Sequence, residues 1–133
     1  MYVVEVPYPA ASGNSHARHG GGAHYLTKGA RAYRSLVAVA AHAQGLHSKM
    51  LPGPLEIEFG IAPPDRRARD ADNLLKPVLD ALTRAGVWVD DSNKVISRTS
   101  VEWCDPEPGG RILLTITQRQ QTLHNTKQNK QRW

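Results

Sequence analysis

Residues Asp65 to Lys76 read DRRARDADNLLK, with three arginines (Arg66, Arg67, Arg69) directly ahead of two carboxylates (Asp70, Asp72) and a lysine (Lys76). Guanidinium groups match phosphate oxygens, and carboxylates suit a hard divalent cation. Both within one short segment point to a metal meeting a phosphate, the chemistry of a nuclease or another phosphoryl-transfer enzyme. The same residues also suit a plainer purpose. Asp70 is a good helix cap, Asp72 suits an acidic first turn, Asp72 and Lys76 are spaced for a surface ion pair, and the arginines suit an exposed loop. In a regular helix a two-residue offset turns side chains about 200° apart. Asp70 and Asp72 therefore converge only if Asp70 sits at the cap, where capping and ligation compete for its oxygens.

A second acidic pair, Asp90-Asp91, follows the apolar segment Val87-Trp88-Val89. A helix and a short return segment can bring this pair back beside the helix start, adding a third carboxylate to the first two. Such a cluster repels itself unless a cation such as Mg²⁺ is present. Lys76 would then stabilise charge developing on phosphate. Asp90-Asp91-Ser92-Asn93 suits a turn equally well. His16, His19 and His24 invite a zinc reading, but no cysteine or carboxylate completes a site, and solvated loop histidines are the better reading. Trp88 and Trp103 are expected in the core, and Cys104 is expected to be a buried small hydrophobe.

These residues need elements to position them. Tyr2 to Val6 reads as a strand ended by Pro7 and Pro9, and residues 10–24 read as a long, Gly-rich, flexible loop. Thr27 could cap a helix from Lys28 to Gln44, stopped by Gly45, with Tyr33, Leu36, Val37 and Ala40 as its buried face. Leu55, Ile57, Phe59 and Ile61 alternate with Glu56, Glu58 and Gly60, marking a half-buried strand ended by Pro63-Pro64. A helix capped at Asp70 runs to about Arg84 with a stripe of Leu75, Val78, Leu79 and Leu82, and Pro77 should bend it. Strands at Ile96 to Cys104 and Arg111 to Thr117 are expected to form a hairpin across the Pro106 to Gly110 turn. The order predicts an α/β (α+β) two-layer sandwich, with one mixed sheet of about four strands and two helices on one face.

The chain of 133 residues suits one domain. Its net charge of +5 is uneven, because the stretch from Arg119 to Trp133 holds four basic residues and no acid, leaving the body near +1. Any nucleic-acid grip must then be local, chiefly Arg66, Arg67 and Arg69. The single cysteine precludes an intrachain disulfide and fits a reducing cytoplasm. No signal peptide or membrane span is visible. The polar stretch 119–133 is expected to be a poorly ordered tail beside a domain at 1–118.

Taken together, Pro64-Asp65-Arg66-Arg67, Asp70-Ala71-Asp72-Asn73-Leu74-Leu75-Lys76, Asp80-Ala81-Leu82 and Gly86-Val87-Trp88-Val89-Asp90-Asp91 resemble the RusA family of Holliday junction resolvases. The match extends to Pro7-Tyr8-Pro9, Asn14, Tyr33-Arg34 and Gly109-Gly110-Arg111, and covers roughly residues 2–118 in one register. The resemblance implies a Mg²⁺-dependent homodimeric endonuclease, with Mn²⁺ as a substitute, that resolves four-way DNA junctions by paired symmetric nicks. It implies metal-binding, catalytic roles for Asp70, Asp72 and Asp91, a catalytic role for Lys76, and a lesser one for Asp90. The sequence departs from the family at Ala10, at His16-Ala17-Arg18 and at Ala68. An alternative from another class is a junction-binding module without catalysis, against which all four catalytic positions are filled. A small-nucleotide phosphohydrolase would want a Gly-rich phosphate loop opening a helix, which is lacking.

Overall fold

The computed structural model describes residues 1–9, 17–20, 23–26 and 28–119. The elements are β1 (Tyr2–Val6), β2 (Ala17–Gly20), β3 (Ala23–Leu26), α1 (Lys28–Ala43), β4 (Leu55–Ala62), α2 (Ala71–Arg84), β5 (Ile96–Trp103) and β6 (Arg111–Gln118). The main sheet has the order β1-β6-β4-β5. β6 pairs antiparallel with both β1 and β4, whereas β5 pairs parallel with β4. The fold is α+β, with a mixed four-stranded sheet and two helices.

β4 carries the strongest alternation in the chain and takes a central place. Leu55, Ile57, Phe59 and Ile61 are all buried, while Glu58 on the opposite face is exposed. Their side chains join Val4 and Val6 from β1 and Ile112, Leu114 and Ile116 from β6 in one apolar core. The helices supply Tyr33, Val37 and Ala41 from α1, and Leu74, Val78, Ala81 and Leu82 from α2. Arg34 on α1 fastens the two helices together through Asp80 on α2, with Nε and Nη2 both 2.6 Å from Oδ2.

Several expectations change. β5 and β6 do not form a hairpin, because β4 lies between them. The glycine turn is present, with Gly109 and Gly110 at φ of 80° and 73°, but β4 pairs with both strands and separates them. The buried face of α1 is Ala30, Tyr33, Val37 and Ala41, leaving Leu36 56% exposed and Ala40 half-buried. On α2 the buried face includes Leu74 and Pro77, whereas Leu75 and Leu79 are only partly buried. Trp103 and Cys104 are exposed, because both sit where the edge strand β5 ends. The stretch read as a 10–24 loop contains a hairpin, with β2 and β3 paired Ala17↔Leu26 to Gly20↔Ala23. Its Gly-rich composition hid that pairing. Thr27, the side chains of the three histidines and residues 120–133 lie outside the described residues.

Trp88 anchors the return from α2. It is fully buried, and its indole N–H donates to Thr83 Oγ1 at 2.7 Å. The Thr83 hydroxyl in turn donates to the Leu79 carbonyl at 2.7 Å. Trp88→Ala should therefore destabilise the protein by about 3–5 kcal/mol in urea unfolding, as expected for a large core aromatic. A loss below about 1 kcal/mol would mean the indole is not a core anchor.

Candidate active site

β4 ends at Ala62, and the Pro63-Pro64 corner leads into the arginine loop. Asp65 organises that loop. Its carboxylate accepts from the Arg67 backbone N–H at 3.0 Å and from the Arg67 guanidinium at 3.1–3.3 Å, and lies 2.8 Å from Arg69 Nη2. Arg69 Nη1 also donates to the carbonyls of Asp65 and Arg67, at 3.0 and 2.9 Å. Hydrogen bonds from the Arg67 side chain, then from its backbone, then from Arg69 hold the Asp65 carboxyl well below the usual carboxylate range. Arg67 and Arg69 are thus partly neutralised and locked, while Arg66 stays exposed with no ion pair among the described residues. Arg69 also lies over the Tyr8 ring, 6.0 Å from its centroid. Gly110 packs against the same ring so closely that a Cβ there would come 2.6 Å from Tyr8 Cγ.

The loop delivers the chain to α2 through Asp70, whose φ of −96° and ψ of 122° are extended, as the cap reading requires. Asp70 Oδ1 accepts from the Asp72 N–H at 3.1 Å, and the Asn73 N–H donates to the Asp70 carbonyl at 3.2 Å. One Asp70 carboxylate oxygen therefore does the capping. Asp72 and Lys76 are both exposed and share no ion pair. Asp80, next on that face, turns to Arg34 instead. A cleft of about 530 Å³ opens beside Asp70, lined by Tyr8, Pro9, Arg67, Ala68, Arg69 and Asn73 among others.

Asp91 is elsewhere. Val89, two residues before it, donates its N–H to the Leu51 carbonyl at 3.2 Å, and Leu55 donates to the Val95 carbonyl at 2.7 Å. Asp91 therefore sits at the Leu55 end of β4, whereas the arginine loop and Asp70 follow its Ala62 end. Eight strand residues separate these ends, a distance on the order of 20 Å. The return segment thus does not bring Asp91 back to Asp70 and Asp72 within one chain. The described residues contain no group of three or more His, Cys, Asp or Glu placed to hold a metal. Asp90 is committed to a turn, accepting the Ser92 N–H at 2.7 Å, and Ser92's hydrogen bonds push its carboxyl down. Asp91 is exposed and without a partner among the described residues.

Sequence reasoning did not single out Asp65 as the hub of the loop or Tyr8 as a cleft wall. A lone acid opening an arginine run signals the first. Nothing local signals the second, which depends on the long-range approach of Gly110.

The sequence model described as endodeoxyribonuclease RusA matches residues 7–117. The crossover junction endodeoxyribonuclease RusA of Escherichia coli K12 is 39% identical over 117 residues, covering 88% of this chain and 94% of that protein. The protein of the same name from Enterobacteria phage 82 shows the same values. That of Shigella sonnei is 38% identical over the same span, with the same coverage of both chains.

The depressed Asp65 carboxyl gives a test of the locked loop. Its contribution to loop order should be complete above the usual carboxylate pKa of about 3.9 and fade only as pH falls through the lower folded-state value. Carboxyl-detected NMR titration should place the Asp65 midpoint clearly below that of an unpaired aspartate. A midpoint at or above the ordinary value would mean the arginines are free of it.

Proposed function

We propose that this chain, which belongs to the RusA endodeoxyribonuclease family, cuts four-way DNA junctions as a Mg²⁺-dependent homodimer that makes paired, symmetric nicks. Membership makes it an endonuclease acting on DNA. Its relatives are crossover junction endodeoxyribonucleases, and the same substrate is the natural reading here. A cytoplasmic setting suits an enzyme of DNA, and no described helix is long and apolar enough to cross a membrane. The domain would be residues 1–118, with 119–133 as a basic tail.

The observation that carries the proposal is the start of α2. The cap geometry leaves Asp72 and Lys76 exposed, and unpaired among the described residues, beside an ordered arginine loop. A hard cation fits this donor chemistry, since Asp70 keeps one carboxylate oxygen outside the cap bond and Asp72 keeps both. Among the described residues, the start of α2 carries these two of the three proposed carboxylates. The third, Asp91, lies at the far end of β4, so a two-fold partner placing its Asp91 against this α2 would complete the set. Two such sites in one dimer match a two-fold substrate that needs two cuts. Bound between these aspartates, Mg²⁺ or Mn²⁺ would supply positive charge to the phosphoryl group and acidify a water. Lys76, one helical turn from Asp72, stabilises charge developing on the phosphate oxygens. Arg66 contacts backbone phosphate as a free charge. Arg67 and Arg69 present whatever donors Asp65 leaves them, which positions the strand without reading its sequence.

Asp72→Asn should leave synthetic-junction binding within about threefold of wild type while lowering metal-dependent nicking by about a thousandfold or more, the scale for loss of an essential catalytic group. A wild-type protein that binds the junction but cuts nothing in Mg²⁺ or Mn²⁺ would favour the non-catalytic binding module. Normal nicking by Asp72→Asn would refute the site assignment.

A further inference from the structure

We infer that the cleft beside Asp70 is a nucleobase pocket, which takes one unstacked base next to the scissile phosphate and reads its edge with the Asn73 side-chain amide. The inference rests on the junction-cutting function above and names the residue that sets nucleotide preference at the cut.

The cleft's volume of about 530 Å³ lies in the range of roughly 300–1,000 Å³ typical of small-ligand sites. Pro9, Pro64, Ala68 and Leu74 give it apolar walls. The Tyr8 ring, with Arg69 over it and Gly110 pressed against it, is held firmly in another wall. Two neutral polar groups in this lining have no hydrogen-bond partner among the described residues. Asn73 uses its backbone N–H to close the helix cap, but its half-buried amide makes no hydrogen bond among the described residues. The Tyr8 hydroxyl is shielded from solvent and has no partner among the described residues. Burial raises the Tyr8 phenol above its ordinary value, so it stays protonated.

Charge gives a phosphate little advantage inside the cleft, where the Asp70 carboxylate also lines the wall. The guanidinium groups of Arg67 and Arg69 at the cleft are already engaged by Asp65. What remains is a cleft with apolar side chains in its walls and an amide offering donors and an acceptor, which suits a base edge. Enzymes that act on a base hold it, once extruded, by such stacking and edge contacts, and the same contacts can hold a base beside a cut phosphate. Because Asp70 lines the same cleft, the base belongs to a nucleotide flanking the cut.

The test is a panel of four-way junctions that vary only in the nucleotides flanking the cut. Wild type should discriminate best from worst by about tenfold or more, as one good amide–base contact allows. Asn73→Ala should reduce that ratio to less than about threefold, with junction affinity little changed. A second arm is independent of cutting. A junction carrying 2-aminopurine beside the cut position, bound without metal, should brighten with wild type as the base unstacks. It should fail to brighten with Ala68→Trp, which fills the cleft at an exposed position. Active Asn73→Ala with an unchanged preference profile would overturn the pocket, as would absence of brightening with wild type. Wild type that brightens the probe yet never cuts would support the pocket and overturn the junction-cutting reading alone.

Discussion

The parallel pairing of β4 with β5 is the constraint on which the rest of the molecule depends. Parallel neighbours cannot be joined by a tight turn, so the chain must cross back over the sheet, and α2 is that crossover. Its direction is then fixed. The helix starts where β4 ends and finishes where β5 begins. Asp70, Asp72 and Lys76 fall at one pole of the sheet, and Asp91 falls at the other. The core enforces this, since Val78, Ala81 and Leu82 of α2 are fully buried in the same cluster as β4, and Trp88 seals the return. Arg34 and Asp80 add a charged fastening between α1 and the outer face of α2. The two-copy site proposed for the chain rests on that polarity, because carboxylates at opposite poles would share a metal only across two copies.

At the α2 pole the chain uses its charges in two distinct ways. Asp65 draws Arg67 and Arg69 into a local knot that orders the loop. The carboxylates after it are left open, one half-used by the cap and one unused. Asp65 supplies counter-charge to Arg67 and Arg69, and among the described residues no ion pair joins these arginines to Asp70 or Asp72. The adjoining cleft is consequently less positive than its sequence implies.

Much of this was legible in the sequence because it rests on local patterning. The β4 alternation, the Asp70 cap, the Gly45 stop and the acid–lysine spacing on α2 are all short-range signals. Strand pairing was not legible. A glycine turn between two strands reads as a hairpin, and no local feature says that β4, far upstream, lies between them. The same gap misplaced Asp91. Its distance from Asp72 along the chain fits a return to the helix start, and only the register of β4 with β5 shows that the return stops at the opposite pole. Burial also depends on what covers an element. Leu36 has helical spacing yet faces outward, and Trp103 is aromatic yet ends an edge strand.

The central claim is that each site draws Asp70 and Asp72 from one chain and Asp91 from its partner. Mixing Asp72→Asn with Asp91→Asn protein tests it directly, after exchange of subunits and with junction nicking as the readout. Each variant alone should be inert. A mixed dimer should hold one intact site and one doubly damaged site, so nicking should return to a sizeable fraction of wild type, in one strand per junction. A mixture as inert as its two parents would contradict the account.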